Sequence, residues 1–374
     1  MPKLKNSSPD CMNILFLANH FNTGGISSYL LTLTKGFVDV GHNVYVLSGG
    51  GSLVEKFESS GGKHFNFGFR VKSDADLRVY FSLPHLQRFK ELKIDIIHSN
   101  TRATQIMGER YSRSLGVSHV STCHGFFKKR IVRLIFPCWG KRVVAISGPV
   151  QKHLFDDFHV NPDKISLIPN GIDLSEFVIP SQAAREEIRR RYNVSGSPVV
   201  GIIARLSDVK GHADLIRAFQ DVVVKFSDAR LLIVGEGPEE ENLRRLVDGL
   251  HLSKRVEFFK ITNQTADVLP LFDVFVMPSL QEGLGLSVLE AQAMGLPVVA
   301  SRVGGLPDII EDHRTGILVD PQNPKALAEA ICAVLSNPAQ SWDMGRAARM
   351  FVEKKYSSGR MVRSTLQMYE SVIG

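Results

Sequence analysis

The chain has 374 residues, of which 44% are hydrophobic and 22% are charged, and its formal net charge is +7. This length allows two domains with separate cores, and the composition excludes a disordered or fibrous protein. No run of eighteen apolar residues is present, so no transmembrane helix is predicted. The four cysteines have neither zinc-ligand nor disulfide-framework spacing, which favours a reducing, cytoplasmic location. Residues 1–10 are polar, lack the apolar stretch of a signal peptide, and are predicted to form a flexible tail.

The excess positive charge lies entirely in the first half of the chain. Residues 1–178 contain 22 Lys and Arg against 14 Asp and Glu, a net charge of +8, whereas residues 179–374 contain 23 against 24, a net charge of −1. This asymmetry indicates an anionic partner for the first half, either nucleic acid or an anionic membrane surface. A solvated basic face is the alternative.

Apolar runs of strand length alternate with helix-length segments along the chain. Several runs are continuous in Val, Ile, Leu and Phe, as expected for parallel strands covered on both faces. About ten strands are too many for one open sheet, which predicts two doubly wound, Rossmann-like α/β domains. The predicted strands are 12–18, 43–47, 95–98, 119–122, 143–146, 198–204, 230–234, 256–259, 273–277 and 297–301.

A domain boundary is predicted between Asn170 and Ser197, where the turn-rich segment 168–173 is followed by a charged helix at 185–191. This divides the chain into an N-terminal domain at 11–178 and a C-terminal domain at 179–355. Ligands of doubly wound sheets bind beyond the carboxyl ends of the strands. We therefore expect two domains facing each other across a cleft that holds the site.

Two motifs follow predicted strands in the first domain. Gly24 and Gly25 lie between strand 12–18 and a helix, an arrangement that favours anion binding at the helix start. His124 follows strand 119–122 and is a candidate for contact with substrate. His98 is the weaker of these two histidine candidates, and a lone histidine is more often structural.

Residues 126–142, which we call the basic segment, combine cations with bulky apolar side chains. This pattern is typical of a segment that lies on an anionic membrane surface, with Lys128, Lys129, Arg130 and Arg133 as the contacts. The same cations would also suit an acceptor that carries phosphate. The remaining alternative is an ordinary helix that buries its apolar side in the first domain.

In the second domain, Arg205 and Lys210 follow strand 198–204 and precede a helix that starts near residue 212. Two cations at this position can neutralise a diphosphate, although a pair of solvated cations is the alternative. Gly235 ends strand 230–234 in a tight loop that is either a ligand loop or a plain turn.

The most informative segment contains Glu282, a loop of four residues and a predicted helix at 287–294 that includes Glu290. The loop amides at the helix start form an anion site, and phosphate is the usual ligand. The two carboxylates would then reach hydroxyl groups of a sugar or ribose. The loop residues are Gly283, Leu284, Gly285 and Leu286.

Two glutamates with seven residues between them, together with the preceding cations and glycine pair, resemble the retaining glycosyltransferases of family 4 (glycosyl transferases group 1). The resemblance spans nearly the whole chain and is strongest over residues 199–320. It implies a GT-B fold with two facing Rossmann-like domains, the first for the acceptor and the second for the nucleotide-sugar donor. It also implies that a C-terminal helix at 356–374, starting near Ser358, crosses back to the first domain.

The resemblance implies transfer of a sugar from a nucleotide-sugar, with a UDP-sugar favoured, to a glycan or lipid-linked acceptor in cell-envelope polysaccharide or glycolipid synthesis. Arg205 and Lys210 would hold the diphosphate, Glu290 the ribose and Glu282 the donor sugar, with His124 beside the transferred sugar. The leaving diphosphate would accept the acceptor proton on the same face, so neither a metal nor a cofactor is expected.

Other functions remain open on these residues. A sugar-nucleotide epimerase or a phosphorylase would use the same fold, and a catalytically silent protein would bind the nucleotide-sugar without turnover. A nucleic-acid binder would leave the site motifs idle, so no nucleic-acid partner is expected. The predicted location is cytoplasmic, with peripheral association at the inner face of the membrane.

Overall fold

The structure is a computed structural model that describes residues 11–69, 71, 78, 82–260 and 265–373. The predicted tail at residues 1–10 lies outside these residues. The chain divides into two compact units. Unit 1 comprises Met1–Gly171 and Ser358–Gly374, and unit 2 comprises Ile172–Ser357.

Unit 1 contains a parallel sheet of seven strands in the order β3-β2-β1-β4-β5-β6-β7. Its central strands are almost completely buried because helices cover both faces of the sheet. This burial explains their continuous apolar sequences. The strands are β1 (Asn13–Leu17), β2 (Asn43–Ser48), β3 (Lys63–Asn66), β4 (Ile96–Ser99), β5 (Ser118–Cys123), β6 (Arg142–Ala145) and β7 (Ile165–Leu167).

Unit 2 contains a parallel sheet of six strands in the order β10-β9-β8-β11-β12-β13. Both units therefore have the doubly wound, Rossmann-like arrangement that the sequence predicts. The strands are β8 (Val199–Ile203), β9 (Arg230–Val234), β10 (Val256–Phe259), β11 (Val274–Met277), β12 (Val298–Ser301) and β13 (Ile317–Val319).

Helices connect most of these strands. Several start at a Ser, Thr or Asn side chain that accepts a hydrogen bond from the first turn, as Thr101, Ser147, Ser181, Asn323 and Asn337 do. The helices are α1 (Gly25–Asp39), α2 (Val54–Ser59), α3 (Leu86–Glu91), α4 (Arg102–Leu115), α5 (Ile131–Ile135), α6 (Gly148–Phe158), α7 (Gln182–Arg191), α8 (His212–Lys225), α9 (Glu240–Gly249), α10 (Leu286–Ala293), α11 (Leu306–Ile309), α12 (Pro324–Ser336), α13 (Pro338–Lys355) and α14 (Ser358–Ile373).

All ten predicted strands are present, and the structure adds three that the sequence did not predict. The additional strands β3, β7 and β13 each lie at the edge of a sheet. An edge strand pairs on one side only and is less buried, so its sequence need not form a long apolar run.

The last helix, α14, packs on unit 1. Met361, Val362 and Tyr369 belong to the same buried cluster as Phe37 of α1, whose ring lies 5.7 Å from that of Tyr369. Gly36 allows this approach, because a Cβ there would lie 2.4 Å from the Val362 side chain. Burial of these apolar side chains holds α14 on unit 1 although it follows unit 2 in the chain.

Candidate active site

Each sheet has one point at which the strand order reverses direction, and ligands of doubly wound sheets bind at the carboxyl ends there. In unit 1 this point lies between β1 and β4, and in unit 2 between β8 and β11. The loops that follow these four strands carry Gly24, Asn100, Arg205 and Glu282. Topology alone therefore brings Arg205 and Glu282 to one edge of the second sheet, although 77 residues separate them.

The loop after β11 leads into α10 through Gly285, whose φ of 102° is in the left-handed region that favours glycine. No side chain caps this helix. Within the described residues, the backbone N–H groups of residues 284–287 have no hydrogen-bond acceptor. Four unused donors at a helix start, together with the helix dipole, form a site that favours an anion.

Lys210 and Glu282 form an ion pair with Nζ and Oε2 2.6 Å apart, and both side chains are mostly buried. The Ser279 hydroxyl lies 3.5 Å from the same carboxylate oxygen. The structure thus brings together two residues that the sequence assigned to different parts of one ligand. In this state each charge neutralises the other, and a ligand that contacts either residue must compete with this pair.

A second glycine pair, which the sequence analysis missed, supports the Glu282 loop. A Cβ on Gly304 would lie 1.9 Å from the Glu282 carbonyl oxygen, and one on Gly305 would lie 2.4 Å from the Gly283 carbonyl oxygen. The Gly305 amide also donates to the Glu282 carbonyl at 3.0 Å. Consecutive glycines separated from the end of β12 by two residues were the available signal, because glycine often marks close backbone approach.

The Arg205 side chain is exposed and makes no hydrogen bond or ion pair within the part of the chain that the structure describes. The loop that carries it crosses the loop after β9, where the Leu206 amide donates to the Glu236 carbonyl at 3.0 Å. Gly235 makes this crossing possible, because a Cβ there would lie 1.9 Å from the Ala204 carbonyl oxygen. Gly235 thus shapes the loop that carries Arg205, which gives this glycine a structural reason to be present.

Glu290 lies in the second turn of α10 and is partly buried. Burial raises the pKa of its carboxyl from 4.5 to about 7, a nearby Glu176 raises it further, and a hydrogen bond with Thr265 partly offsets both. An unusual carboxyl pKa near neutrality is typical of functional sites, although structural networks also produce it.

In unit 1, Gly24 precedes α1 and adopts φ 155°, and no side chain caps this helix. The loop that contains Gly24 and Gly25 is held by its neighbours, since the Thr101 hydroxyl donates to Asn19 Oδ1 at 2.6 Å and the Ser52 amide donates to Asn22 Oδ1 at 3.0 Å. A Cβ on Gly24 would meet no atom within 4 Å in this unit, so space is open above this helix start.

His124 lies beside Asn100, which the sequence analysis also missed. The Asn100 amide nitrogen donates to the His98 carbonyl at 3.2 Å, so its Oδ1 accepts from His124 Nε2 at 3.0 Å. Burial lowers the pKa of His124 to about 3, so the ring is neutral and its proton is on Nε2. Nδ1 is therefore an acceptor, and it has no partner among the described residues.

His98, the weaker histidine candidate, is fully buried and structural. Its ring nitrogens lie 2.6 Å from the Tyr369 hydroxyl and 2.6 Å from the Thr122 hydroxyl, which also contacts the Tyr29 hydroxyl at 3.2 Å. The Tyr29 ring in turn packs edge-on against His124, with centroids 4.9 Å apart. This network connects α14 to the strand ends that hold His124.

Two family models match the chain. The model described as "Glycosyltransferase Family 4" matches residues 23–176, and the model described as "Glycosyl transferases group 1" matches residues 184–351. A D-inositol 3-phosphate glycosyltransferase of Pseudarthrobacter chlorophenolicus is 32% identical over 306 residues, which cover 75% of this chain and 71% of that protein. The chain belongs to glycosyltransferase family 4. The resemblance that the sequence analysis identified is thus confirmed.

Two mannosyltransferase relatives match this family 4 chain over a smaller region. A GDP-mannose-dependent phosphatidylinositol monomannoside mannosyltransferase of Mycolicibacterium smegmatis is 37% identical over 193 residues, 49% of this chain. The matched region covers 50% of the length of that relative and 58% of the length of the corresponding protein of Mycobacterium tuberculosis, so the chain spans about half the length of these relatives. Among solved structures, an Anabaena protein in complex with UDP-glucose has a TM-score of 0.85 at 21% identity, covering 96% of this chain and 100% of that one. This likeness confirms the GT-B fold.

The basic segment of this family 4 chain differs in one respect from its prediction. Lys128, Lys129 and Arg130 are exposed, as expected, and Lys129 pairs with Asp157 at 2.6 Å. Arg133, however, is only 6% exposed and was wrongly assigned to an outward-facing patch. Aromatic side chains enclose its guanidinium, which lies 3.8 Å from the centre of the Phe127 ring.

Two further observations concern the chain as far as the structure describes it. No helix there is both long enough and apolar enough to cross a membrane. No group of three or more His, Cys, Asp or Glu side chains there is arranged to hold a metal ion.

Proposed function

We propose that this protein is a retaining glycosyltransferase that moves a sugar from a nucleotide-sugar to a glycan or lipid-linked acceptor in cell-envelope polysaccharide or glycolipid synthesis. Family membership supports the reaction class. The observation that carries the proposal is the row of unused backbone N–H groups at residues 284–287. This row lies next to Glu282, which is paired with Lys210, and it leads into the helix that contains Glu290.

This arrangement suits a nucleoside diphosphate sugar. The amides and the cations Lys210 and Arg205 would bind the diphosphate, because charge-assisted hydrogen bonds to phosphate are the strong ones. Glu290 would accept from the ribose hydroxyls, and Glu282 would accept from hydroxyls of the donor sugar. Gly283 and the other loop residues would approach the ligand with their backbone.

In unit 1, His124 would accept a hydrogen bond from a sugar hydroxyl at Nδ1, which its neutral tautomer leaves available. With a pKa of about 3 it is poorly suited to take a proton and keep it at neutral pH. In the proposed reaction, the bond between the anomeric carbon and the diphosphate oxygen breaks while the acceptor oxygen bonds to the same face. The acceptor proton passes to the departing diphosphate, whose charge Arg205 and Lys210 stabilise.

A UDP-sugar is the favoured donor, and the acceptor is proposed to be lipid-linked. A structural neighbour binds UDP-glucose, whereas the mannosyltransferase relatives are named for GDP-mannose. The names of those relatives also include a phosphatidylinositol glycolipid, which supports an acceptor at a membrane. We propose that the protein acts in the cytoplasm, peripherally at the inner face of the membrane, without a metal or cofactor.

The test begins with a thermal-shift panel of uridine and guanosine diphosphates and their sugars, because a specific ligand raises the melting temperature by mass action. The sugar-nucleotide that binds is then incubated with candidate acceptors, and the anomeric configuration of the product is determined by NMR. Retention is expected, and chelator is expected to leave activity unchanged. Inversion, or a loss with chelator that magnesium restores, would contradict the mechanism.

The same assay separates the alternatives. An epimerase would convert the donor sugar while it remains attached to the nucleotide, with no acceptor required. A silent binding protein would show the thermal shift but neither transfer nor slow donor hydrolysis. A phosphorylase that uses pyridoxal phosphate would show the absorbance of that cofactor in purified protein.

A further inference from the structure

The basic segment is fixed to unit 1 from its inner side, and Arg133 forms the centre of this attachment. Its guanidinium stacks on Phe127 at 3.8 Å and lies 5.7 Å from the ring centres of both Trp139 and Phe158. The arginine therefore occupies the position that an apolar side chain of a surface helix would normally fill.

Hydrogen bonds to the flanking backbone hold the segment at both ends. Before α5, the Phe127 amide donates to His153 Nε2 at 2.9 Å. After α5, Arg102 donates to the carbonyl of Phe136 at 2.5 Å and to that of Pro137 at 2.7 Å. These contacts fix which side chains of the segment face solvent.

The side chains that face solvent are mainly large and apolar. Ile131 is 75% exposed, Leu134 46%, Ile135 64% and Phe136 64%. The segment thus buries an arginine and exposes four bulky apolar side chains, the reverse of the usual distribution. Contiguous exposed apolar residues on a fixed surface mark an interaction site.

The charges identify the partner. Residues 126–142 contain six cations and no acidic residue, and Lys128, Lys129 and Arg130 adjoin the exposed apolar side chains. Two of these three cations are lysines, which are depleted in protein–protein interfaces relative to the rest of the surface. Asp157 neutralises Lys129, whereas Lys128 and Arg130 have no acidic partner among the described residues. Exposed apolar residues beside two unpaired cations match the boundary between acyl chains and anionic headgroups.

We propose that residues 128–136 form a membrane-docking surface that binds bilayers containing anionic lipid. Ile131, Ile135 and Phe136 would enter the boundary between headgroups and acyl chains, while Lys128 and Arg130 would contact lipid phosphates. The surface begins four residues after His124, in the loop that leaves the carboxyl end of β5. It would therefore bring this edge of the sheet close to a lipid-linked acceptor. The inference deepens the proposed function, but vesicle binding itself requires neither donor nor acceptor.

The experiment measures co-sedimentation of the full-length protein with phosphatidylcholine vesicles that contain or lack phosphatidylglycerol. Binding is expected only with the anionic lipid and should weaken with added salt, which screens exposed charges. Lys128→Gln combined with Arg130→Gln should lower the partition coefficient about thirtyfold, since each cation contributes roughly 1 kcal/mol. Ile135→Ser combined with Phe136→Ser should also lower it.

Matched controls lie in unit 2. Lys254→Gln with Lys325→Gln removes the same charge from exposed positions, and Val224→Ser with Trp342→Ser removes exposed apolar side chains. Unchanged thermal unfolding establishes that each variant is folded. Equal losses in the control variants, or no binding by the wild type at low salt, would overturn the proposal. A wild-type dimer that the Ile135 and Phe136 substitutions dissociate, without vesicle binding, would instead assign the surface to a second copy of the chain.

If vesicle binding fails while glycosyl transfer to an acceptor is measured, only the docking surface is wrong. If vesicles bind and no transfer is found, the proposed function fails and the docking surface remains.

Discussion

The raised pKa of Glu290 predicts that nucleotide binding depends on pH. The carboxyl has a pKa of about 7, chiefly because of burial. If ribose hydroxyls donate to this group, they bind the ionised form, since a protonated carboxyl has lost acceptor capacity. About a tenth of the molecules are ionised at pH 6 and about nine-tenths at pH 8, so the dissociation constant of the nucleoside diphosphate should be about tenfold larger at pH 6.

Glu290→Gln should remove this dependence. An amide does not titrate and donates where the carboxylate accepts, so the variant should bind nucleotide more weakly at pH 8, and its affinity should change less between pH 6 and pH 8. The phosphates of the ligand also titrate near pH 6. The measurement is therefore the difference between the two proteins, obtained by calorimetry in buffers of different ionisation enthalpy so that released protons are counted.

The same pKa shift predicts that Glu290→Gln makes the folded protein more stable at pH 8. A carboxyl whose pKa is higher in the folded state than when unfolded makes stability fall as pH rises from about 4.5 to about 7, and the whole penalty is present above pH 7. Glu290→Gln should therefore raise the free energy of unfolding at pH 8 by about 3 kcal/mol. It should have little effect near pH 4, where the carboxyl is protonated in both states.

Glu329, an exposed glutamate on α12, provides the matched control. Glu329→Gln should change neither nucleotide affinity nor stability beyond a few tenths of a kcal/mol. The reasoning is refuted if Glu290→Gln keeps the wild-type pH dependence of binding. A variant that is less stable than the wild type at pH 8 would show instead that the carboxylate is favourably bound in the folded protein.

Three further predictions concern the other site residues. Arg205→Ala and Lys210→Ala should each weaken nucleoside diphosphate binding by about 1.5–3 kcal/mol, and unchanged calorimetric affinity in both would exclude a phosphate role. Glu282→Gln should mainly lower turnover. Because Glu282 and Lys210 are paired, the losses of activity caused by Glu282→Gln and Lys210→Ala should not be additive. Additive losses in a double-mutant cycle would show that the two residues act separately. Asn100→Asp should raise the pKa of His124 by about 1–3 units, since a carboxylate beside the ring favours the imidazolium. The pKa is measured by nitrogen-15 NMR of the ring, and an unshifted value would contradict the prediction.

The central strands were predictable because each is an uninterrupted apolar run bounded by turns. The edge strand β3, with sequence Lys-His-Phe-Asn, has no such run, and β7 and β13 have only three residues each. Their pairing depends on a neighbouring strand that is distant in sequence or separated by a helix, which a local pattern does not contain.

The site loops were predictable for a similar reason, because glycines and cations directly after a strand are a local signal. The pairing of Lys210 with Glu282 was not predictable, since it joins loops 72 residues apart. The burial of Arg133 was not predictable either, because within its own segment it looks like any other cation. Only the fold brings Trp139 and Phe158 around it.

The ion pair joins Lys210, which is proposed to bind the diphosphate, to Glu282, which is proposed to bind the donor sugar. Both side chains are mostly buried, and separating such a pair without replacing either partner is costly. A diphosphate would replace Glu282 as the partner of Lys210, and a sugar hydroxyl would replace Lys210 as a donor to Glu282. A nucleoside diphosphate alone supplies only the first replacement, whereas the complete nucleotide-sugar supplies both. The pair thus gives the loop after β11 a physical reason to favour the intact donor over the product nucleotide.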